Sequence, residues 1–199
     1  MKPKRADLKA LLVIAGLLCA PALFAAPQGK TQPKDNPEVP GLLKTLKEVT
    51  KDKKGRRDHE GQSILDQLTS LHPKLNKKQQ RNVEKGVERV LLKARRKPDN
   101  VGLLLAAGEG LSKFGKAGAS SLAKVANDKK FSKKEWLDFR AQMVRLLGRP
   151  AELAYKDQLI KFAVTHKDEQ INGAAGYALG YYSKHPQKVR KEIAGRLIK

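Results

Sequence analysis

Apolar residues recur at spacings of three and four along almost the whole chain that follows Pro37. Two such groups are Leu42, Leu43, Leu46 and Val49, and Ile64, Leu65, Leu68 and Leu71. An α-helix has about 3.6 residues per turn, so this spacing places the members of each group on one helical face. No stretch alternates apolar and polar residues as a half-buried strand does. The sequence therefore predicts an all-α protein.

Turn-forming residues divide this region into a series of helices. The predicted helices span about 38–51, 60–72, 76–97, 100–114, 117–127, 132–148, 151–166, 168–183 and 186–198. The connections between them are short, which favours antiparallel packing of successive helices.

Three helix ends repeat at a nearly fixed interval. They are Phe114-Gly115, Leu147-Gly148 and Leu179-Gly180, with the glycines 33 and 32 residues apart. Small residues near these ends let neighbouring helices approach closely, and a glycine there is predicted to take the left-handed conformation that ends a helix. A recurring helix pair is typical of a repeat architecture.

The segment from Phe139-Arg140 to Leu147-Gly148 resembles the second helix of HEAT repeats, in which Val-Arg and small residues precede Leu-Gly. The resemblance covers about residues 76–199 by motif and 38–75 by helix spacing alone. It implies a short right-handed α-solenoid of about four antiparallel helix pairs plus a C-terminal capping helix at 186–198. The pairs would be 38–72, 76–114, 117–148 and 151–183, so that residues 38–199 form one HEAT-like domain.

The N-terminal segment has the parts of a secretory signal peptide. Basic residues at its start precede an apolar run from Ala10 to Leu18 and small residues near Ala25. Cleavage is expected after Ala25, or alternatively after Ala22, and no membrane-spanning segment follows it. The sequence therefore predicts an exported protein that is periplasmic, envelope-associated or secreted.

Residues 26–37 combine Pro27, Gly29 and Pro33 with polar residues and show no apolar period, which predicts a flexible tail. Loss of residues 1–25 removes four basic residues and one Asp, so the formal charge falls from +22 to +19. It also removes Cys19, the one cysteine, which excludes a disulfide scaffold and a thiolate metal site in the mature chain.

Residues with catalytic or metal-binding chemistry are few. None of the four histidines lies in a zinc motif, and Asp58-His59-Glu60 stands among cations in a predicted turn. The glycines at 173, 176 and 180 lie in a helical pattern, not in a phosphate-binding loop. The sequence therefore predicts a non-enzymatic protein with no cofactor, no metal site and no specific small-molecule ligand.

An enzymatic alternative comes from the HEAT-like DNA glycosylases and the lyase relatives of the family. Trp136, Asp138 and Arg140 invite the comparison with the glycosylases, which use aromatic and carboxylate groups on a basic surface. Helical spacing favours a different interpretation, in which Trp136, Phe139 and Met143 form a core face and Asp138 points away. Tyr177, Tyr181 and Tyr182 are likewise predicted to pack mainly in the core between repeats. The alternative is an exposed interaction patch, since tyrosine is enriched at interfaces.

Most of the excess charge lies at the joins within the first three predicted pairs. These cations are Lys51, Lys53, Lys54, Arg56 and Arg57, then Lys93, Arg95, Arg96 and Lys97, then Lys129, Lys130, Lys133 and Lys134. In a solenoid such joins share one edge, which predicts a continuous basic rim. Cations also stabilise the ends of helices, and this alternative explains one or two of them per join.

These patterns favour an exported, non-enzymatic interaction scaffold that binds a protein partner or an anionic surface. The alternative is an electrostatic binder of polyanions such as nucleic acid, an acidic glycan or lipopolysaccharide. The sequence leaves the oligomeric state open.

Overall fold

Helices make up all the regular structure in the part of the chain that the structure describes. This structure, a computed structural model, describes residues 35–94, 98 and 101–198. Its α-helices are α1 (Glu38–Lys51), α2 (Asp58–Leu71), α3 (Lys77–Lys93), α4 (Gly102–Ser112), α5 (Gly115–Asn127), α6 (Leu137–Gly148), α7 (Lys156–Thr165), α8 (Glu169–Gly180) and α9 (Gln187–Leu197). The predicted all-α class is confirmed.

Four predicted helices are partly 3-10 helix. A 3-10 turn at His72–Lys74 follows α2, two at Lys129–Ser132 and Lys134–Trp136 precede α6, one at Leu153–Tyr155 precedes α7, and one at Tyr181–Lys184 follows α8. Apolar spacings of three suit a 3-10 turn as well as an α-helix, so the sequence pattern did not separate the two.

Each helix packs against near neighbours in chain order. Successive helices contact one another at α1/α2, α3/α4, α4/α5, α5/α6 and α7/α8. Further contacts join alternate helices, namely α2 to α4, α4 to α6 and α6 to α8, and also α1 to α3, α3 to α5 and α7 to α9. The core follows these contacts from Val39 to Ile193.

The glycines that close the repeated helix ends have different roles. Gly115 has φ +58°, as the sequence predicted, and lies where α4 turns into α5. The prediction is wrong for the other two, because Gly180 has φ −58° and Gly148 also lies outside the left-handed region. A Cβ on Gly148 would lie 2.6 Å from the Cα of Ala178, so its hydrogen side chain permits α6 and α8 to approach closely.

The aromatic residues of the predicted core divide into two groups. Trp136 and Phe139 are buried beside Phe131, with ring centroids about 5 Å apart, which confirms their predicted face. Tyr182 is also buried, and its hydroxyl donates a hydrogen bond to the carbonyl oxygen of Glu152 at 2.7 Å. Burial raises the pKa of Tyr182 to about 12. The prediction is wrong for Tyr177, whose side chain is 61% exposed.

Ala175 lies fully buried in α8, the helix that packs on α6 and α7. We expect Ala175→Leu to destabilise the protein by about 1–3 kcal/mol, because the added methylenes overpack this contact. Chemical denaturation measures the change in the free energy of unfolding. Ala194→Leu, the same substitution at an exposed position of α9, is the control and should change it by less than about 0.5 kcal/mol. Equal effects of both variants would contradict the packing of α8.

The predicted signal peptide and residues 26–34 of the predicted tail lie outside the described residues. At the described end of that tail, Asn36 and Gln79 exchange two hydrogen bonds of 2.9 and 2.8 Å, which fix Asn36 to α3. Among the described helices, none has both the length and the apolar character needed to cross a bilayer.

Candidate anion-binding surface

Two contacting helices, α1 and α3, present cations at helical spacing. These are Lys44, Lys47 and Lys51 of α1 and Lys85, Arg89 and Lys93 of α3, and all six are exposed. Spacings of three and four residues align the cations of each helix along one face. Because α1 packs on α3, the two rows lie side by side.

A groove runs between these rows, and we call it the α1/α3 groove. It consists of two adjoining hollows of about 420 and 440 Å³ that share Lys47, Thr50 and Arg89. Its apolar lining comes from Pro40, Leu43 and Leu46. A Cβ on Gly86 would lie 2.6 Å from Leu43, so the glycine lets the leucine pack down between the helices.

Seven cations line the α1/α3 groove, and they are called the groove cations below. They are the six residues of the two rows together with Lys53. No carboxylate is among the described residues that line the groove, and none of the seven forms an ion pair with a described residue. The groove therefore presents one sign of charge.

The two carboxylates of α3 contact residues outside the groove. Glu84 lies 3.0 Å from the Nε2 of His72, and Glu88 accepts a hydrogen bond from Lys124 of α5 at 2.7 Å. Both acids face neighbouring elements of the fold, whereas Lys85 and Arg89 of the same helix line the groove. This separation of charge across α3 makes the groove positive.

The first predicted rim cluster lines a further hollow at the α1/α2 join, and two of its members, Lys51 and Lys53, also line the groove. Two of its five cations face carboxylates: Arg56 lies 4.0 Å from Asp52, and Arg57 donates two hydrogen bonds to Glu60 at 2.7 and 2.8 Å. A hydrogen bond from the backbone N–H of Lys54, with Arg56 nearby, lowers the pKa of Asp52. The hydrogen bonds from Arg57 lower the pKa of Glu60. Lys51, Lys53 and Lys54 form no ion pair with a described residue.

The remaining rim residues are only partly brought together. Lys93 lines the same hollow as Lys51 and Lys53, so the first two clusters meet there, while Arg95, Arg96 and Lys97 lie outside the described residues. In the third cluster, Lys129, Lys133 and Lys134 are exposed. The Lys130 ammonium lies 4.7 Å from the ring centre of Phe131, and burial lowers its pKa. Lys130 therefore packs on the aromatic core.

Four of the groove cations were missed by the sequence interpretation, which counted charge only at the joins. They are Lys44, Lys47, Lys85 and Arg89. The signal was present in each helix as a row of cations at helical spacing. The two rows line one groove because α1 packs against α3. Residue spacing alone does not specify this packing.

The residues compared with the DNA glycosylases do not form a surface group. Trp136 and Met143 are buried, and Arg140 donates a hydrogen bond to the carbonyl oxygen of Ala126 at 2.8 Å. Asp138 is exposed and accepts a hydrogen bond from Gln170 at 2.6 Å. The structure confirms the predicted core face and the opposite orientation of Asp138. No group of three or more His, Cys, Asp or Glu that could hold a metal ion occurs among the described residues.

The chain matches no protein-family model, no curated protein and no solved structure. The HEAT resemblance therefore remains a prediction from the residues that carry it.

Proposed function

We propose that this chain is an exported, non-enzymatic interaction scaffold built on HEAT-like repeats, which binds an anionic polymer or surface through the α1/α3 groove. The observation that carries this proposal is the set of seven exposed groove cations with no carboxylate among them. Clustered like charges repel one another, and a bound polyanion relieves that repulsion. The ligand class is nucleic acid, an acidic glycan or lipopolysaccharide.

Recognition in this groove is by charge. Lysine ammonium groups on flexible stems meet phosphate or sulfate groups without a fixed geometry, and six of the seven groove cations are lysines. Such a surface releases condensed counterions when it binds a polyanion, so its affinity depends steeply on salt. It distinguishes ligands by charge density and not by sequence.

The helix contacts support the solenoid component of the proposal. In an α-solenoid the first helices of successive pairs pack on one another, and so do the second helices. The contacts of α1 with α3 and α3 with α5, and of α2 with α4, α4 with α6 and α6 with α8, follow this scheme. The predicted signal peptide supports export, and the groove cations all lie in the part of the chain that would remain after cleavage.

The proposal is tested by binding to an anionic polymer over a range of salt concentrations. Fluorescence anisotropy with labelled heparin oligosaccharide should show binding at low salt, and an uncharged dextran oligosaccharide of similar length is the control. With about six phosphate-like contacts, affinity should fall by about a thousandfold between roughly 50 and 200 mM salt. Equal affinity for dextran, or affinity that does not change with salt, would contradict a charge-based interface.

A further inference from the structure

The outer face of α8 is exposed in the part of the chain that the structure describes. It carries Tyr177 beside three glycines, Gly173, Gly176 and Gly180, and a Cβ on any of these glycines would meet no atom within 4 Å. Glycine inside a helix lowers helix stability relative to alanine. Packing among the described residues therefore does not explain why these positions lack a side chain.

Two tyrosines with arginines beside them border these glycines, and of the two Tyr177 is exposed and Tyr181 is half-buried. The rings of Tyr177 and Tyr181 meet edge to face with centroids 5.8 Å apart, and the Arg145 guanidinium lies 5.9 Å from the centre of the Tyr177 ring. Arg149 pairs with Glu109 and lies close to Tyr181. Exposed tyrosine and arginine are the residue types most enriched at the energetic centres of protein interfaces.

Equivalent faces earlier in the chain are covered by the next alternate helix. Gly108 of α4 lies under Met143 of α6, where a Cβ would be 2.6 Å from the methionine methyl group. Gly148 of α6 lies against Ala178 of α8 in the same way. In both places a glycine marks a close helix contact, which is the role that the exposed glycines of α8 would have beneath another helix.

We propose that a second copy of this chain covers the outer face of α8, with the two α8 helices antiparallel across a two-fold axis near Gly176. This arrangement extends the contact series α4, α6, α8 by the α8 and α6 helices of the second copy. A two-fold interface uses the same surface from both copies, which is the commonest form of homodimer. The glycines permit close approach of the two helix backbones, and the tyrosines pack over them.

Charge complementarity favours this occupant. Glu169, at the start of α8, is exposed and forms no ion pair with a described residue, whereas Arg145 and Arg149 lie along the later part of the helix, Arg149 already paired with Glu109. An antiparallel pair brings Glu169 of each α8 beside the arginines of the other copy. The net charge of the whole chain, +22, opposes association at long range. Salt screens both this repulsion and the local attraction, and the repulsion between two chains of +22 is the larger effect. Dimerisation should therefore strengthen as salt rises, opposite to the salt dependence of polyanion binding.

Sedimentation equilibrium of the full chain, at low and high salt, tests the dimer independently of the groove. We expect the weight-average mass to rise with protein concentration from that of one chain toward that of two, more readily at high salt. Gly176→Ala adds a methyl group between the helices and should raise the dimer dissociation constant by about tenfold or more. The same variant should raise the midpoint of thermal unfolding of the monomer, because alanine favours a helix.

Two further variants make the result decisive. Gly41→Ala is the matched control, since Gly41 is exposed in α1 with no atom within 4 Å of its Cβ position, and it should leave dimerisation unchanged. Tyr177→Glu should weaken the dimer at least as much as Gly176→Ala. A chain that is monomeric at all concentrations, or a dimer that neither α8 variant weakens, would overturn the proposal. Neither α8 variant changes a groove residue, so heparin binding should be the same in both. The dimer and the proposed groove function are therefore tested independently.

Discussion

Replacing Lys44, Lys47, Lys85 and Arg89 together by Glu is expected to weaken heparin binding by roughly a thousandfold at low salt. A cation at an anionic membrane surface contributes on the order of 1 kcal/mol, and with a similar contribution here four cations add about 4 kcal/mol, which is about a thousandfold in affinity. The slope of log affinity against log salt concentration should also become shallower by about 3 to 4, because fewer counterions are released. The measurement is the anisotropy titration repeated at several salt concentrations.

The matched control reverses Lys161, Lys184, Lys188 and Lys191, which are exposed in α7, after α8 and in α9. Both variants change the net charge by the same amount, so a difference between them reports position and not total charge. The control should retain most of the affinity and most of the salt slope. Equal losses in the two variants would show that binding depends on net charge alone and that the α1/α3 groove has no special role.

Gly118→Ala is expected to destabilise the fold by about 3 kcal/mol, at the upper end of the range for overpacking. Gly118 is buried in α5 against the end of α4, and a Cβ there would overlap the carbonyl oxygen of Leu111 and lie 2.7 Å from its carbonyl carbon. A flexible side chain moves aside at little cost, but here the obstacle is backbone. The overlap can therefore be relieved only if α4 and α5 separate. Denaturant titration measures the resulting loss in the free energy of unfolding.

Gly195→Ala is the same substitution where no such obstacle exists. Gly195 is exposed in α9, and a Cβ there meets nothing within 4 Å. This variant should be neutral or more stable by up to about 1 kcal/mol, because alanine favours a helix. Opposite signs for the two variants are the expected result. Equal midpoints would contradict the close contact between α4 and α5.

The helices were predictable because their apolar spacing is a local property of the sequence. Leu46 and Leu68, which the spacing placed on helix faces, are both buried, and the helix bounds agree to within a few residues wherever no 3-10 turn intervenes. The roles of the glycines were harder to predict. Gly148 and Gly173 both lie in segments with helical spacing of apolar residues. A glycine is required at 148 because α8 lies close to it, whereas the space beside Gly173 is open. That difference depends on which helices are neighbours.

The candidate site was predicted only in part for a related reason. Counting charge along the chain found the dense cluster of Lys51 and Lys53, which does line the groove. It did not find Lys85 or Arg89, because carboxylates interspersed along α3 hide the cations in a linear count. The cations and carboxylates separate onto different faces only when the α-helix forms. Glu84 then faces His72 and Glu88 faces Lys124. Tyr177 was misplaced because helical spacing gives a face without saying whether another helix covers it.

The pattern of helix contacts also bears on how quickly the chain reaches its native structure. The principal contacts of every described helix are with helices one or two places away in chain order. Little loop entropy is lost when such contacts form, and helical proteins with low contact order fold in roughly microseconds to milliseconds. The contacts among α1, α2 and α3 form without any residue beyond α3, so these helices can begin to assemble before the rest of the chain has folded.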